Sequence, residues 1–467
     1  MFLVCCTCGL AQETEKDAES VHEDADILKE SHLTIRNVVI TGNKITRPYI
    51  IAREVPVKEG SQYSISNILK SITQAKKNLI NSGLFLDVTV DFDRWVGDSL
   101  DIVVDVKERW YYFPVPYFKP VDRNFNVWIK DYNASLSRVN YGLKFIANNV
   151  SGRNDKLNIW LLTGYSRQIV LNYNAPNFDR SLKNGIVLDF LFAQNKEINY
   201  DTENNKQLFY KNDKEFVTDY LRFGVGYSYR TGYIKRHSVR LTYNIMRIND
   251  SVLHRNPEYF GNGSKRAAFP ELVYQYQDFD LNYIPYPTKG FMWEAGFKKR
   301  GFSKVMNLWE FSGRAGAYWE LTPKYFLSSQ VFGNLKLPLY QPFYNRNLLG
   351  YGNLFLRGLE NYVVDGTASF VAKNTFSREI WKLDLKTGLK SRSYGVIPFR
   401  FYAKVYGDLG YAYSKRAPGI NLLNNKPLYS GGAGLDIVSI YDAVISVEYS
   451  FNQLGQKGLF LEGRLGF

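Results

Sequence analysis

"YLRFGVGYSYR", residues 220–230, changes character at every step. Leu221, Phe223, Val225, Tyr227 and Tyr229 alternate with Arg222, Gly224, Gly226, Ser228 and Arg230. A period of two puts the apolar set on one face of a strand and the polar set on the other. The pattern runs through 11 residues, about twice the usual strand of a soluble sandwich. Its polar face carries arginine and glycine. That combination fits a strand with an apolar outside and a polar lumen.

The same alternation recurs in both directions. In "WEFSGRAGAYWEL" (309–321), Trp309, Phe311, Ala315 and Trp319 alternate with Glu310, Ser312, Arg314 and Glu320. "FRFYAKVYGDLGYAY" (399–413) and "LFLEGRLGF" (459–467) repeat it. Strands are expected to start near residues 113, 139, 156, 168, 185, 216, 236, 269, 289, 307, 325, 368, 399, 428, 442 and 457. The fold class is therefore mainly β, a 16-stranded antiparallel transmembrane barrel over 110–467. The long connections, 195–215, 247–268, 336–367 and 414–427, all follow odd-numbered strands. "RTGYIKR", "TPKY" and "SIYDA", which follow even ones, are short. Both termini then lie on the short-turn side, which is the periplasm if the barrel sits in an outer membrane.

Composition agrees. The chain has 35 Tyr and 31 Phe but 4 Met, and its mean hydropathy is negative, as strands apolar on one face only would give. The net charge of +14 is uneven: residues 13–30 carry eight acids against Lys16 and Lys29. The basic surplus of 110–467 is scattered over strand ends and loops rather than gathered in a tract. That distribution favours an anionic outer-membrane lipid surface over nucleic acid as the partner.

Residues 1–12, "MFLVCCTCGLAQ", read as the apolar core of a signal peptide with a cleavage site after Ala11, although a basic start is missing. Cys5, Cys6 and Cys8 all fall inside it, so the mature chain is expected to hold no thiol or disulfide. A lipid-anchored cysteine is the alternative. Residues 13–31 form an acidic linker.

Residues 32–109 read differently. "LTIRNVVITGN" is a strand ending in a Gly42–Asn43 turn, and Thr46 is positioned to cap a short helix with Pro48 in its first turn. "SISNILKSITQAKKNLINSG" places Ile65, Ile68, Leu69, Ile72, Leu79 and Ile80 on one helical face, with Gly83 at the stop. Two alternating strands follow. The order β-α-α-β-β predicts a small α+β domain with a free sheet edge able to accept a guest strand.

"VVITGNKITRPYIIAREVPVKEGSQYS", "NLINSGLFLDVTVDF" and "DIVVDVKER" resemble one POTRA domain in order and spacing. "NNVSGRNDKLNIWLLTGY", "LNYNAPNF" and "YIPYPTKGFMWEAGF" resemble barrel segments of the BamA-type outer-membrane assembly family, the bacterial surface antigen proteins. "NLFLRGLENYVVDGTASF", from residue 353, resembles that family's sixth-loop Arg-Gly motif, with Leu359 where the family has an aromatic residue. "VYGDLGYAY" resembles the aspartate-bearing strand after it. The resemblance implies that the loop folds into the lumen, where Arg357, Gly358 and Glu360 form a latch with Asp408. Asp408 shares the polar face of its strand with Arg400, Lys404 and Tyr406.

A lateral seam between first and last strands is the second expected site. "FPVPYFKPV" (113–121) holds Pro114, Pro116 and Pro120, which cannot donate ladder hydrogen bonds. Pro114, Pro116 and Phe118 would face Leu461, Leu465 and Phe467 across it. Neither a catalytic group nor a metal or cofactor is expected: His22, His32, His237 and His254 are dispersed, and no Gly-x-Ser-x-Gly elbow occurs. The functional readings are three. The protein assists insertion of unfolded outer-membrane or secreted clients received at the POTRA-like domain, or it is a polypeptide translocation pore, or it is an accessory subunit of a larger assembly complex.

Overall fold

The computed structural model describes residues 32–464 except 121–132, 134, 262, 304–305, 353, 389–394 and 416–420. The leader, the acidic linker, Leu465 and Phe467 lie outside the described residues. The chain divides into two compact units between Glu108 and Arg109.

The first unit comprises β1 (His32–Thr41), α1 (Pro48–Ala52), β2 (Gln62–Ser64), α2 (Ile65–Asn81), β3 (Phe85–Val96) and β4 (Ser99–Glu108). Its sheet has the order β2-β1-β4-β3, with β1 parallel to β4. Ser64 caps α2 by accepting the Asn67 amide, and Gly83 ends it at φ 73°. Thr46 does not cap α1. Arg47 stands at that position without a side-chain bond, while Thr46 is buried and its amide donates to Glu108 Oε1 at 2.6 Å. The buried stripe of α2 is Ile68, Ala75, Asn78 and Leu79. Leu69 is exposed, so the apolar face is narrower than the pattern suggested. The three-residue β2 is too short to show any alternation and was not expected. It covers one edge of the sheet. β3 forms the other, and its distal part exposes Phe92, Trp95 and Val96.

The second unit is one antiparallel sheet of sixteen strands in sequence order. It begins with β5 (Tyr112–Pro120), β6 (Val139–Asn148), β7 (Lys156–Gly164), β8 (Ser166–Ala175) and β9 (Asn184–Asn195). After the hairpin β10 (Glu197–Glu203) and β11 (Lys206–Lys211) come β12 (Thr218–Arg230) and β13 (Lys235–Ile248). Helix α3 (Asp250–Arg255) leads into β14 (Arg266–Leu281), β15 (Gly290–Arg300), β16 (Leu308–Thr322) and β17 (Tyr325–Leu337). The pair β18 (Asn347–Leu349) and β19 (Val364–Asp365) braces the next loop. β20 (Ala368–Lys386), β21 (Val396–Tyr413), β22 (Pro427–Val438), β23 (Val444–Asn452) and β24 (Lys457–Arg464) complete the sheet.

Burial is inverted relative to a soluble sandwich. Phe223, Val225, Tyr227, Phe311, Trp319, Val405 and Leu409 are exposed, whereas Lys336, Lys404, Asp408, Asp436 and Glu448 are buried. Charged side chains avoid full burial unless paired, and large apolar ones avoid exposure in water. The inversion fits a sheet rolled with its polar face inward and its apolar face turned to lipid. The β20–β21 ladder also outruns its neighbours. β17 accompanies it to Arg378 and β22 to Arg400, but the pair continues to Lys386 and Val396.

Candidate functional site: a lumenal latch and an open sheet edge

The loop between β17 and β20 turns inward at Leu356–Leu359. These two leucines pack with Leu349, Val364, Val371, Leu423 and Leu428 in a buried cluster. Leu359 thus fills an apolar seat. Between them Arg357 meets Asp408 on the inward face of β21. The guanidinium donates from Nε to Oδ2 at 2.9 Å and from Nη2 to Oδ1 at 2.5 Å, a two-pronged fit. The Arg357 backbone N–H adds a third bond to the same carboxylate at 3.0 Å.

Arg357 Nη1 donates to Thr375 Oγ1 at 2.9 Å, Nη2 reaches the Asn374 carbonyl at 3.3 Å, and the Tyr406 ring lies 3.9 Å beneath the guanidinium. Only 9% of Arg357 and 1% of Asp408 is exposed. The arginine and aspartate expected to pair therefore do. Glu448, which lies nearby, is taken by Lys404 at 2.5 Å, and Lys404 also binds Asp436 at 2.6 Å.

Gly358 and Glu360 complete the turn. Gly358 sits at φ 87°, a conformation costly for other residues, and a Cβ there would meet Ser450 Cβ at 3.0 Å. Its amide donates to Glu360 Oε1 at 2.9 Å, and its carbonyl accepts from Asn452 Nδ2 at 2.6 Å. Glu360 supports the turn from within and does not touch Arg357 or Asp408 among the described contacts. Burial pushes its carboxyl above the ordinary range, opposed by the Gly358 amide.

A second set of loop contacts went unseen in the sequence. The β10–β11 hairpin turns on Asn204–Asn205, both left-handed at φ 52° and 56°. Asn205 is buried and reaches two other loops. Its amide donates to Asn421 Oδ1, and its Nδ2 to the Val363 carbonyl and Asn424 Oδ1. Its Oδ1 accepts the Leu423 amide. An Asn-Asn pair marks a tight turn, but nothing in the sequence pairs that turn with residues 363 and 421–424.

Hydrogen-bond parity shows which main-chain groups of the end strands point away from their neighbours. Tyr112 pairs with Ala147, and the Asn148 amide donates to the Tyr111 carbonyl at 2.7 Å. In an antiparallel ladder alternate residues bond alternate neighbours. Tyr111, Phe113, Val115, Tyr117 and Lys119 therefore bond β6. Tyr112, Pro114, Pro116, Phe118 and Pro120 direct their main chain to the sheet's end. Three of these five are prolines, with a carbonyl but no N–H to offer.

At the other end, Asn452 N–H donates to the Gln456 carbonyl, which fixes even residues of β24 on β23. Lys457, Leu459, Leu461 and Gly463 face outward along the edge, each with donor and acceptor. Leu459 and Leu461 are 71% and 75% exposed. No ladder joins β5 to β24 among the described residues.

Residues 33–109 match the profile of the POTRA family, described as a surface antigen variable number repeat. No curated protein sequence matches the chain. Among solved structures, BamA from Haemophilus ducreyi lacking POTRA domains 1–3 is 14% identical, covers 92% of this chain and 84% of its own, and superposes with a TM-score of 0.51. CdiB from Escherichia coli is 11% identical, with 93% and 76% covered and a TM-score of 0.54. Residues 33–109 are thus a POTRA domain, and the sixteen-stranded inverted sheet that follows shares the fold of the BamA and CdiB structures.

Proposed function

We propose that the protein is an outer-membrane assembly factor that receives unfolded client polypeptides at its POTRA domain and assists their insertion at the open sheet edge. The POTRA domain lies in the periplasm in this reading, and the protein binds rather than catalyses. The observation that carries it is the mismatch between the two terminal strands. β24 offers a full row of donors and acceptors beside outward leucines, while β5 is poor in donors at the positions that would close the sheet. A client strand with apolar and polar residues in alternation satisfies β24 better than β5 can. The free β3 edge supplies an earlier capture point by the same chemistry.

The lumenal contents favour insertion over passage of a client through the barrel. A client passing through the barrel would have to displace the loop that Arg357 anchors to Asp408 on the inward face of β21.

A photo-crosslinking residue at Leu461 tests the proposal in cells. Adducts to nascent outer-membrane proteins are expected at Leu461 and not at Leu409, an exposed residue of β21 that lies away from the sheet's end. Equal adducts at both positions, or none at Leu461, would remove the basis for the edge as insertion site.

A further inference from the structure

The turn between β14 and β15, "NYIPYPTK" (282–289), is one of the short connections. It does not stay at the rim but folds inward. Tyr283 Oη donates to Asp442 Oδ1 at 2.6 Å, in the turn between β22 and β23. Tyr286 Oη donates to Asp436 Oδ2 on β22 at 3.0 Å. The Tyr286 ring lies on Tyr402 with centroids 4.8 Å apart, and both tyrosines pack on Phe326, Tyr402, Val438 and Val444.

In the sheet order β15 and β22 are five places apart. On a rolled sixteen-strand sheet that is roughly a third of the circumference, so the turn spans the lumen as a chord instead of following the wall.

The turn is built to hold its shape. Asn282 closes its neck, with Oδ1 accepting the Thr288 and Lys289 backbone amides and its backbone N–H donating to the Lys289 carbonyl. Pro285 and Pro287 restrict the backbone on both sides of Tyr286. Asp442 is held in turn by Arg109, which forks onto both carboxylate oxygens at 2.8 and 2.9 Å. Above the turn lies a cavity of about 210 Å³ lined by Pro285, Tyr286, Pro287, Gln330, Arg357 and Lys404, among others. The turn and the Arg357 latch therefore bound the same chamber.

We propose that residues 282–289 are a stopper that closes the short-turn end of the lumen, bolted by Tyr283 to Asp442 and by Tyr286 to Asp436. The stopper does not depend on which client the protein handles. It separates the lumenal chamber from the solvent beneath, and withdrawal of the two tyrosines opens the chamber from that side. Arg109 is a positioning residue, since it orients the carboxylate that Tyr283 uses.

Cysteine access tests this on the full-length chain, with Cys5, Cys6 and Cys8 changed to serine. Gln330→Cys places one thiol in the chamber wall, and Asn204→Cys serves as an exposed reference on the opposite loops. In purified protein the thiol at position 330 is expected to react slowly with a charged maleimide. The pair Tyr283→Phe and Tyr286→Phe removes only the bolting hydroxyls and keeps the rings. It should speed labelling of the chamber thiol about 10-fold or more, because two bonds to carboxylates are lost, while the rate at position 204 stays fixed. A second variant, with 283–287 replaced by a Gly-Ser segment, should label at least as fast. Rapid reaction in the parent, or equal rates in parent and both variants, would overturn the stopper.

Discussion

Arg357 and Asp408 show what a single pair can hold in place. A buried ion pair broken on one side costs about 3–5 kcal/mol, against about 0–1 for an exposed pair. Arg357→Ala and Asp408→Ala should each expose the loop following β17 to protease on intact cells. The double change should be no worse than either alone. Arg357→Lys should fare little better, because one ammonium cannot reproduce the fork onto Asp408 together with the Thr375 and Asn374 bonds.

Gly358→Ala adds a Cβ 3.0 Å from Ser450 Cβ at a positive φ, and should cost roughly 1–2 kcal/mol of loop docking. At this scale the sequence was partly legible. The arginine and aspartate could be paired only through the resemblance of their segments to the family's loop motif and aspartate-bearing strand, since nothing in their own surroundings singles out the partner. The partner of Lys404 could not, since three carboxylates share that wall and only the register decides between them. Thr46 misled for a related reason: a capping residue type beside a proline says nothing of whether Glu108 already binds its amide.

Elements were the most legible level. A period of two over ten or more residues leaves little freedom, because a slip of one residue would turn every apolar side chain inward. The sixteen expected starts accordingly lie within three residues of the observed ones. What escaped were β2, β18 and β19, too short for any period, and the β10–β11 hairpin, whose strands sit inside a loop. The prolines of β5 were legible as a weakness, but not their direction. Only the ladder shows that Pro114 and Pro116 withhold donors from the open edge and not from β6.

That parity makes a prediction. Pro114→Val with Pro116→Val restores two edge donors without disturbing the β6 ladder, so pairing across the seam should strengthen. Disulfide formation between Phe118→Cys and Leu461→Cys should then rise, and client insertion should fall. Proline changes at no cost to insertion would show that donor poverty in β5 is irrelevant.

At the scale of the whole molecule, the proposed outer-membrane setting and the odd–even difference in connection length predict that the long loops face out of the cell. Asn204 is exposed at the tip of the β10–β11 hairpin, and Thr231 is exposed in the turn between β12 and β13 at the opposite end. A cysteine at Asn204 should react with an impermeant reagent on intact cells, and one at Thr231 should not. Asn424 belongs to the same long loops as Asn204, but it is buried and bonded to Asn205 and the Asp365 carbonyl, so no labelling is expected there.

The adjacent asparagines of the hairpin tip differ in the same way. Asn205 is 1% exposed and satisfies groups from two other loops, while Asn204 touches only its own turn among the described contacts. Asn205→Ala strands the Val363 carbonyl, the Asn424 amide oxygen and the Leu423 amide in a buried site. Each orphaned group costs about 1–3 kcal/mol, and the left-handed backbone adds strain for alanine. Asn205→Gly removes the same side chain without that strain, which separates the two effects. Both variants should open the loops at 363 and 421–424 to protease from outside the cell, whereas Asn204→Gly should leave them closed. If Asn204→Gly and Asn205→Gly behave alike, the three loops are held by something other than this asparagine, and the cap over the latch rests on apolar packing around Leu423 and Val364.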